Sequence, residues 1–195
     1  MADLITLASY KEAEGLSTPK EDLRINALIP SVSQLIKTYC GNTFVDYYSS
    51  NRTETFNIDW ATHIVQLTES PVNTIVSVQE RQSYSDSYVT LTTGAYEYAL
   101  DTTTDSLLRT NSGSYQNWAR GVDAVKIVYT AGYSSVPEDL KLAVIDLLTY
   151  YLKDEHKPRK VMGGASLQND SSTSQKGNVA FPDHIKRVLD LYKNF

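Results

Sequence analysis

Apolar positions recur along this chain with two different periods, and the switches between them divide it. Near the start, Thr6 can cap a short helix over 7–14, with Leu7, Tyr10 and Ala13 or Glu14 at helical spacing and Gly15 as its stop. Thr18-Pro19-Lys20-Glu21 then reads as a capping box with Pro at the first helical position. The stripe that follows is Ile25, Leu28, Ile29, Val32, Leu35, Ile36 and Tyr39, one face of an α-helix. Pro30 lies inside it and predicts a kink or a split, because it removes a backbone donor. Cys40 closes the last turn and Gly41 stops it.

From Asn42 to Tyr133 the period falls to two. Strands are predicted at 52–58, 63–67, 72–80, 88–91, 96–100, 107–109 and 124–130. Glu54, Phe56 and Ile58 share one face of the first. Glu69-Ser70-Pro71, Thr93-Gly94, Asn111-Ser112-Gly113 and Arg120-Gly121 supply the turns. Short strands at this spacing imply a small antiparallel sandwich or barrel.

The helical period returns after Ser135-Val136-Pro137-Glu138, with the cap expected at Ser135 or Val136. Leu140, Ala143, Val144, Leu147, Leu148 and Tyr151 form the stripe, and Leu140, Val144, Leu147, Leu148 and Tyr151 are the expected core of this helix. Leu142, Ile145 and Leu152 widen the apolar surface, so burial on more than one side is expected. Glu138 and Asp139 favour the positive end of the helix dipole, and Lys153, His156 and Lys157 the negative end. The stretch 158–178 is poor in large apolar residues, carries Gly163-Gly164 and Ser171-Ser172-Thr173-Ser174, and reads as a long mobile loop or arm. Phe181-Pro182-Asp183 then opens a last helix running towards Phe195, with Ile185, Val188, Leu189 and Tyr192 on one face. Such a face must dock, either on its own core or on a partner.

The pattern therefore gives an α+β chain in four parts. Residues 1–41 hold the N-terminal helices of a helical bundle, and 42–133 an inserted antiparallel β region. Residues 134–157 form the long helix that completes the bundle, and 158–195 an arm ending in a helix.

Composition narrows the functional classes. The chain has 195 residues, 18 Lys and Arg against 23 Asp and Glu, and a net charge of −5. That balance argues against a chain built to wrap nucleic acid. One Cys excludes an internal disulfide framework and a Cys-rich zinc site. No apolar run is long enough to span a bilayer, and the first residues lack the charge and apolar pattern of a secretory signal. A protein folding in a reducing cytosol is expected. Tyrosine is the outlier, with 14 against 4 Phe and 2 Trp. Its ring and hydroxyl suit half-buried strands and also protein interfaces. Nine of the 14 fall in the β region: Tyr47, Tyr48, Tyr84, Tyr88, Tyr96, Tyr98, Tyr115, Tyr129 and Tyr133.

A search for chemistry finds little. His63, His156 and His184 are scattered and lack metal-ligand spacing. Cys40 lacks a base and an electropositive setting nearby in sequence, so a core role is expected. Gly163-Gly164 lacks the Lys and Ser/Thr of a phosphate loop. Asp101, Asp105 and Glu97 surround Thr102-Thr103-Thr104, a spacing common in turns. The short basic run Lys157, Arg159 and Lys160 suits a helix end or a solvated loop. No catalytic residue, cofactor or metal ligand is assigned, and an interaction or assembly protein is favoured over an enzyme.

Several ordered stretches resemble the head–tail connector proteins of tailed bacteriophages, also called head-completion or adaptor proteins. They are Asp3-Leu4-Ile5-Thr6-Leu7-Ala8-Ser9-Tyr10-Lys11, Ile36-x-x-Tyr39-Cys40-Gly41-x-x-Phe44 and Leu67-x-x-x-Pro71-Val72-x-x-Ile75-x-Ser77-Val78. Two more are Val128-Tyr129-x-Ala131-Gly132-Tyr133-x-x-Val136-Pro137-x-Asp139-Leu140 and Phe181-Pro182-x-x-Ile185-x-x-x-Leu189-x-x-Tyr192. Pro30 departs from the family's uninterrupted long helix, and the β insertion is longer than in its small helical members.

The resemblance implies a structural virion protein of the phage neck, assembled in the bacterial cytoplasm. It would form a ring of its own copies, a dodecamer, under the portal vertex. The ring would extend the DNA channel and attach the next neck or tail protein. Genome DNA would pass through the lumen without specific binding, and no membrane is involved. The family's C-terminal segment reaches the portal, which maps portal docking onto Phe181, Ile185, Val188, Leu189, Tyr192 and Phe195, in a helix that orders on docking. Acidic subunits would let the duplex slide, since each neutralised phosphate adds affinity. The alternatives are a tail-completion or stopper protein of the same neck, a small hydrolase using Asp101, Asp105 or His63, and a carbohydrate-binding module using Trp60 and Trp118.

Overall fold

The computed structural model describes residues 2–93, 96–153 and 181–193. The chain divides into two compact units, one built from Met1–Gly41 and Val136–Lys193 and the other from Asn42–Ser135. The whole is α+β.

Among the described residues the first unit contains four helices: α1 (Leu7–Ala13), α2 (Asp22–Cys40), α3 (Glu138–Leu152) and α4 (Asp183–Asp190). Thr6 caps α1 by accepting from the Ser9 N–H at 3.2 Å. The expected capping box does not start α2, whose N-cap is Glu21 with no side-chain cap bond. Lys11 Nζ instead bridges the Thr18 carbonyl at 3.0 Å and the Asp22 carboxylate at 2.8 Å, holding 18–22 as a turn. Nor does Pro30 split α2, which is one helix of 19 residues. Pro30 and Asn26 both lie on its exposed side, so the carbonyl that loses its donor can face water. Gly41, left-handed at φ 67°, ends α2 with its N–H on the Lys37 carbonyl.

The core of this unit is aliphatic. Ile25, Ile29, Val32, Ile36 and Cys40 of α2 are buried, as are Leu140, Ala143, Val144, Leu147 and Leu148 of α3. Tyr151 is half-buried. Helix α2 packs on α3, and α4 packs on both. The expected burial of α3 on a second side is corrected: Leu142 is 59% exposed, and Ile145 and Leu152 are half-buried. Helix α3 starts behind Pro137 and has no side-chain cap bond, so neither Ser135 nor Val136 caps it. The last helix ends at Asp190, short of the expected run to Phe195. The stretch read as an arm, 158–178, and Phe195 lie outside the described residues, as do His156, Lys157, Arg159 and Lys160.

The second unit is a sandwich of antiparallel sheets. The larger has the order β1-β8-β3-β4, with β1 (Arg52–Ile58), β8 (Gly121–Ala131), β3 (Val72–Glu80) and β4 (Val89–Leu91). The smaller has the order β2-β6-β5, with β2 (Ile64–Gln66), β6 (Ser106–Asn111) and β5 (Tyr98–Asp101). A two-residue strand β7 (Ser114–Tyr115), too short to leave a sequence period, pairs with β6. Inward positions of both sheets meet in one core that includes Ile58, Val65, Val78, Leu107, Trp118, Val125 and Ile127. The outer faces differ. On the larger sheet Thr55, Lys126, Gln79 and Thr90 form a polar row across all four strands. On the smaller sheet the register sets Ile64, Leu108 and Ala99 side by side, an apolar row in which Ile64 and Ala99 are exposed.

Candidate functional site

The sheet unit is pinned by polar side chains that strand alternation turns inward. Tyr129 of β8 is buried, and its hydroxyl donates to Glu54 Oε1 at 2.9 Å while accepting from the Glu69 N–H at 3.2 Å. Burial, and then the neighbouring Glu54 charge, push the Tyr129 phenol well above its ordinary value. Glu54 also accepts from Arg52 Nε at 3.0 Å, from the Thr68 N–H and from the Thr68 hydroxyl. Glu69 Oε2 takes the N–H and hydroxyl of Thr43, each at 2.9 Å. Two buried carboxylates are thus satisfied by donors from four places in the sequence, Thr43, Arg52, Thr68 and Tyr129. The network fastens residues 42–47 to the sheet, with Tyr47 accepting from Arg52 at 3.0 Å.

Gly132 completes this anchor. Its backbone is at φ 98°, and a Cβ there would come within 2.3 Å of the Phe44 carbonyl oxygen. The Tyr133 N–H bonds that same oxygen at 2.6 Å. The Ala131-Gly132-Tyr133 motif therefore has a steric meaning: only a residue without a side chain lets 42–45 lie against the end of β8.

A second polar device ties the two sheets. Arg109 of β6 forms a bidentate pair with Glu80 at the end of β3, at 2.8 and 3.2 Å. Its remaining donor reaches the carbonyls of Glu97 and Thr110 at 2.7 and 2.8 Å. Trp118 lies 5.9 Å below the guanidinium.

The sheet unit also carries exposed rings. Tyr84, Tyr96, Tyr115 and Trp60 are each about two-thirds exposed or more, and the Tyr115 ring stacks on His63 at 4.5 Å. Thr110, the partner of Tyr115, directly follows Arg109, whose N–H bonds the His63 carbonyl at 2.7 Å. The Tyr115 ring therefore stands beside the apolar row Ile64–Leu108–Ala99 of the smaller sheet, whereas Tyr84 lies over Arg81.

In the helical unit the expected docking residues split by burial. Phe181, Ile185 and Leu189 are buried on their own chain, and Val188 and Tyr192 are half-buried. Phe181 meets the Tyr39 ring edge-on at 4.9 Å, and Tyr39 donates to Asp190 Oδ1 at 2.6 Å. Tyr192 donates to Asp139 at 2.7 Å. Cys40 lies under Leu189, its thiol 3.6 Å from the Leu189 carbonyl. Burial, and secondarily the Asp190 charge, push that thiol up to about 12. The bond to Asp190 and then burial likewise push Tyr39 up to about 12. The outer side of α4 exposes His184, Arg187 and Asp190, with Leu191 just beyond.

The candidates for chemistry are each tied up locally. Asp101 accepts from the Thr103 N–H and the Thr104 hydroxyl, bonds that hold its carboxyl below the ordinary range. Glu97 does the same for Thr92. Asp105 accepts from the Val72 N–H and the Ser70 hydroxyl, and His63 is covered by Tyr115. A hydrolase site built from Asp101, Asp105 and His63 is not assembled. Trp118 is 2% exposed against 70% for Trp60, so the two rings do not share a sugar-binding face. Among the described residues no group of three His, Cys, Asp or Glu could hold a metal. No helix there is long and apolar enough to cross a membrane.

Sequence reasoning missed Arg109–Glu80 and the Glu54–Glu69 network. Alternation marks Glu54 as inward, but nothing local names partners 14 and 75 positions away.

Comparison with known proteins agrees with this geometry. A head completion protein of Escherichia phage T5 is 28% identical over 68 residues, 34% of this chain. The match spans about a third of that relative's length, 37%. The fold is that of a chain in the neck of an empty gene transfer agent particle computed with C6 symmetry. That chain superposes with a TM-score of 0.60 at 15% identity, over 98% of this chain and 90% of that one. A chain in the neck of the native particle computed with C12 symmetry gives 0.59 at 14%, over 100% and 94%. A family model for head completion proteins matches residues 3–195, and the chain belongs to that family.

Proposed function

We propose that this protein is a structural subunit of a phage-type neck, forming a ring of its own copies between the portal and the next neck or tail protein. The observation that carries this reading is the head completion family match over 3–195. The fold shared with chains of necks computed with six- and twelve-fold symmetry supports the ring. The role is mechanical: the subunit would extend the DNA channel and offer attachment surfaces, and its net charge of −5 would keep the passing duplex from sticking. The virion neck is its place of action, with assembly in the host cytoplasm.

The portal contact falls to the C-terminal helix. Because Phe181, Ile185 and Leu189 hold that helix in place, its outer side and Leu191 are the surface that meets the portal. Val188 and Tyr192 stand at the rim, and Phe195 lies outside the described residues. The downstream protein would contact the exposed rings of the sheet unit, Trp60, Tyr96 and Tyr115, and the apolar row that holds Ile64. The test is mass determination of the purified chain alone and with portal rings. A ring of this chain on the portal is expected; a monomer that never joins portal contradicts the reading.

A further inference from the structure

We propose that the outer face of the smaller sheet binds a segment of the downstream protein in which an apolar stretch is flanked by two Lys or Arg side chains. This rests on the neck reading above and names the chemistry of that attachment. Register lays three rows across the face. The middle row is Ile64–Leu108–Ala99. On one side of it Asp101 stands opposite Ser106. On the other side Tyr115 pairs with Thr110, whose N–H bonds the Glu97 carbonyl at 2.9 Å. Strand alternation therefore places Glu97 and Asp101 on this same face, on either side of Ala99. Four residues of strand separate them, about 13 Å.

The face is thus apolar along β2 and β7 and acidic along β5. Ile64, Ala99 and Tyr115 are exposed, an apolar surface that gains free energy when covered. Its charge is of one sign. Between Asn42 and Ser135 the chain carries 10 Asp and Glu against 5 Lys and Arg, so this unit holds the whole net charge of −5. None of those five cations belongs to the outward rows. Arg109 is turned inward to Glu80, and the other four lie on or beside β1, β3 and β8 of the larger sheet. Glu97 and Asp101 are fixed anions. Bonds from the Thr92 N–H and hydroxyl hold the first carboxyl below its ordinary range, and bonds from Thr103 and Thr104 do so for the second. Two anions beside an apolar row repel phosphates and acidic surfaces. They select an apolar segment with cations at matching spacing, which an extended strand supplies with Lys or Arg four residues apart. Charge then guides the approach, and the apolar row holds the segment once it has arrived.

The test mixes heads that carry the portal and a ring of this chain with purified tail-side assemblies of the same particle, and follows joining by electron microscopy. Glu97→Gln with Asp101→Asn removes both charges and keeps oxygens that can accept from Thr92, Thr103 and Thr104. Joining is expected to slow about tenfold at low salt and to lose most of its salt dependence. Asp59→Asn with Asp86→Asn removes the same charge elsewhere on the unit and should change the rate less than about twofold. With benzoylphenylalanine at position 115, irradiation of joined particles should capture a tail-side protein at a peptide that holds apolar residues between Lys or Arg. Equal rates for the two double variants overturn the proposal, as does capture of an acidic or uncharged peptide, or of nothing. Capture of a second copy of this chain overturns it in favour of a contact between copies. Rings that form and join tails without regard to Glu97 and Asp101 leave the neck reading standing. Failure of the unmodified chain to form any ring on the portal overturns that reading, and the proposal with it.

Discussion

The two units differ in how much of their interior is polar. The helical unit buries mainly aliphatic stripes, with Ser33 and Lys37 of α2 also buried and bonded to Leu4 and Ala2, and the bonds Tyr39–Asp190 and Tyr192–Asp139 are exposed. The sheet unit places ionised groups inside: Glu54 and Glu69 with Tyr129, and Arg109 with Glu80. Apolar packing tolerates volume-conserving change and sliding contacts, whereas a satisfied buried polar network fixes one arrangement and fails sharply when a member is lost. The difference assigns rigidity to the unit that also carries exposed rings.

Substitutions can break that contrast, beginning with the largest effect. Gly132→Ala puts a Cβ against the Phe44 carbonyl at a left-handed φ, and a loss of about 3 kcal/mol or more is expected in urea unfolding. A loss below about 1 kcal/mol would mean that 42–45 can move away from β8. Leu189→Ala leaves a hole at a fully buried site, with an expected cost of about 2–5 kcal/mol. It should also make Cys40 reactive towards a maleimide at neutral pH, since α4 is what covers it. Tyr129→Phe removes one hydroxyl, orphans the Glu69 N–H and takes one of three donors from Glu54 Oε1, costing about 1–3 kcal/mol. If it proves neutral, the network is not what fixes the sheet unit.

A smaller effect comes from pH. The Cys40 thiol titrates at about 12 in the fold, above its ordinary value of 9.0. The folded state therefore holds its proton more tightly than the unfolded one. This contribution is fully present below pH 9 and is lost as pH rises from 9 towards 12. Denaturant midpoints should fall over that window, and Cys40→Ala should flatten the fall. The smallest stability effect is at Tyr115→Ser, within about 0.5 kcal/mol, combined with weaker capture of the downstream neck or tail protein in a pull-down.

Much of the fold was legible in the sequence because burial imposes a period. The stripes from Ile25 to Tyr39 and from Leu140 to Tyr151 became α2 and α3, and seven strands were visible in alternation. What was not legible depended on contacts distant in sequence. The Lys11 bridge to Asp22 displaced the helix start expected at Pro19. Pro30 was tolerated because its side of α2 faces water. Leu142 extended an apolar stripe yet remains exposed, since period alone does not say whether a neighbouring helix is present. Tyrosine count pointed to sheet and surface together, and the structure separates them: Tyr129 is core, while Tyr84, Tyr96 and Tyr115 are outside.

The central claim is that this chain is a repeated structural element of a neck. Its most direct test is imaging of intact particles that carry the protein, with the neck averaged about its axis. The account predicts density for both units repeated around the channel, next to the portal. A neck in which no density fits either unit would contradict it.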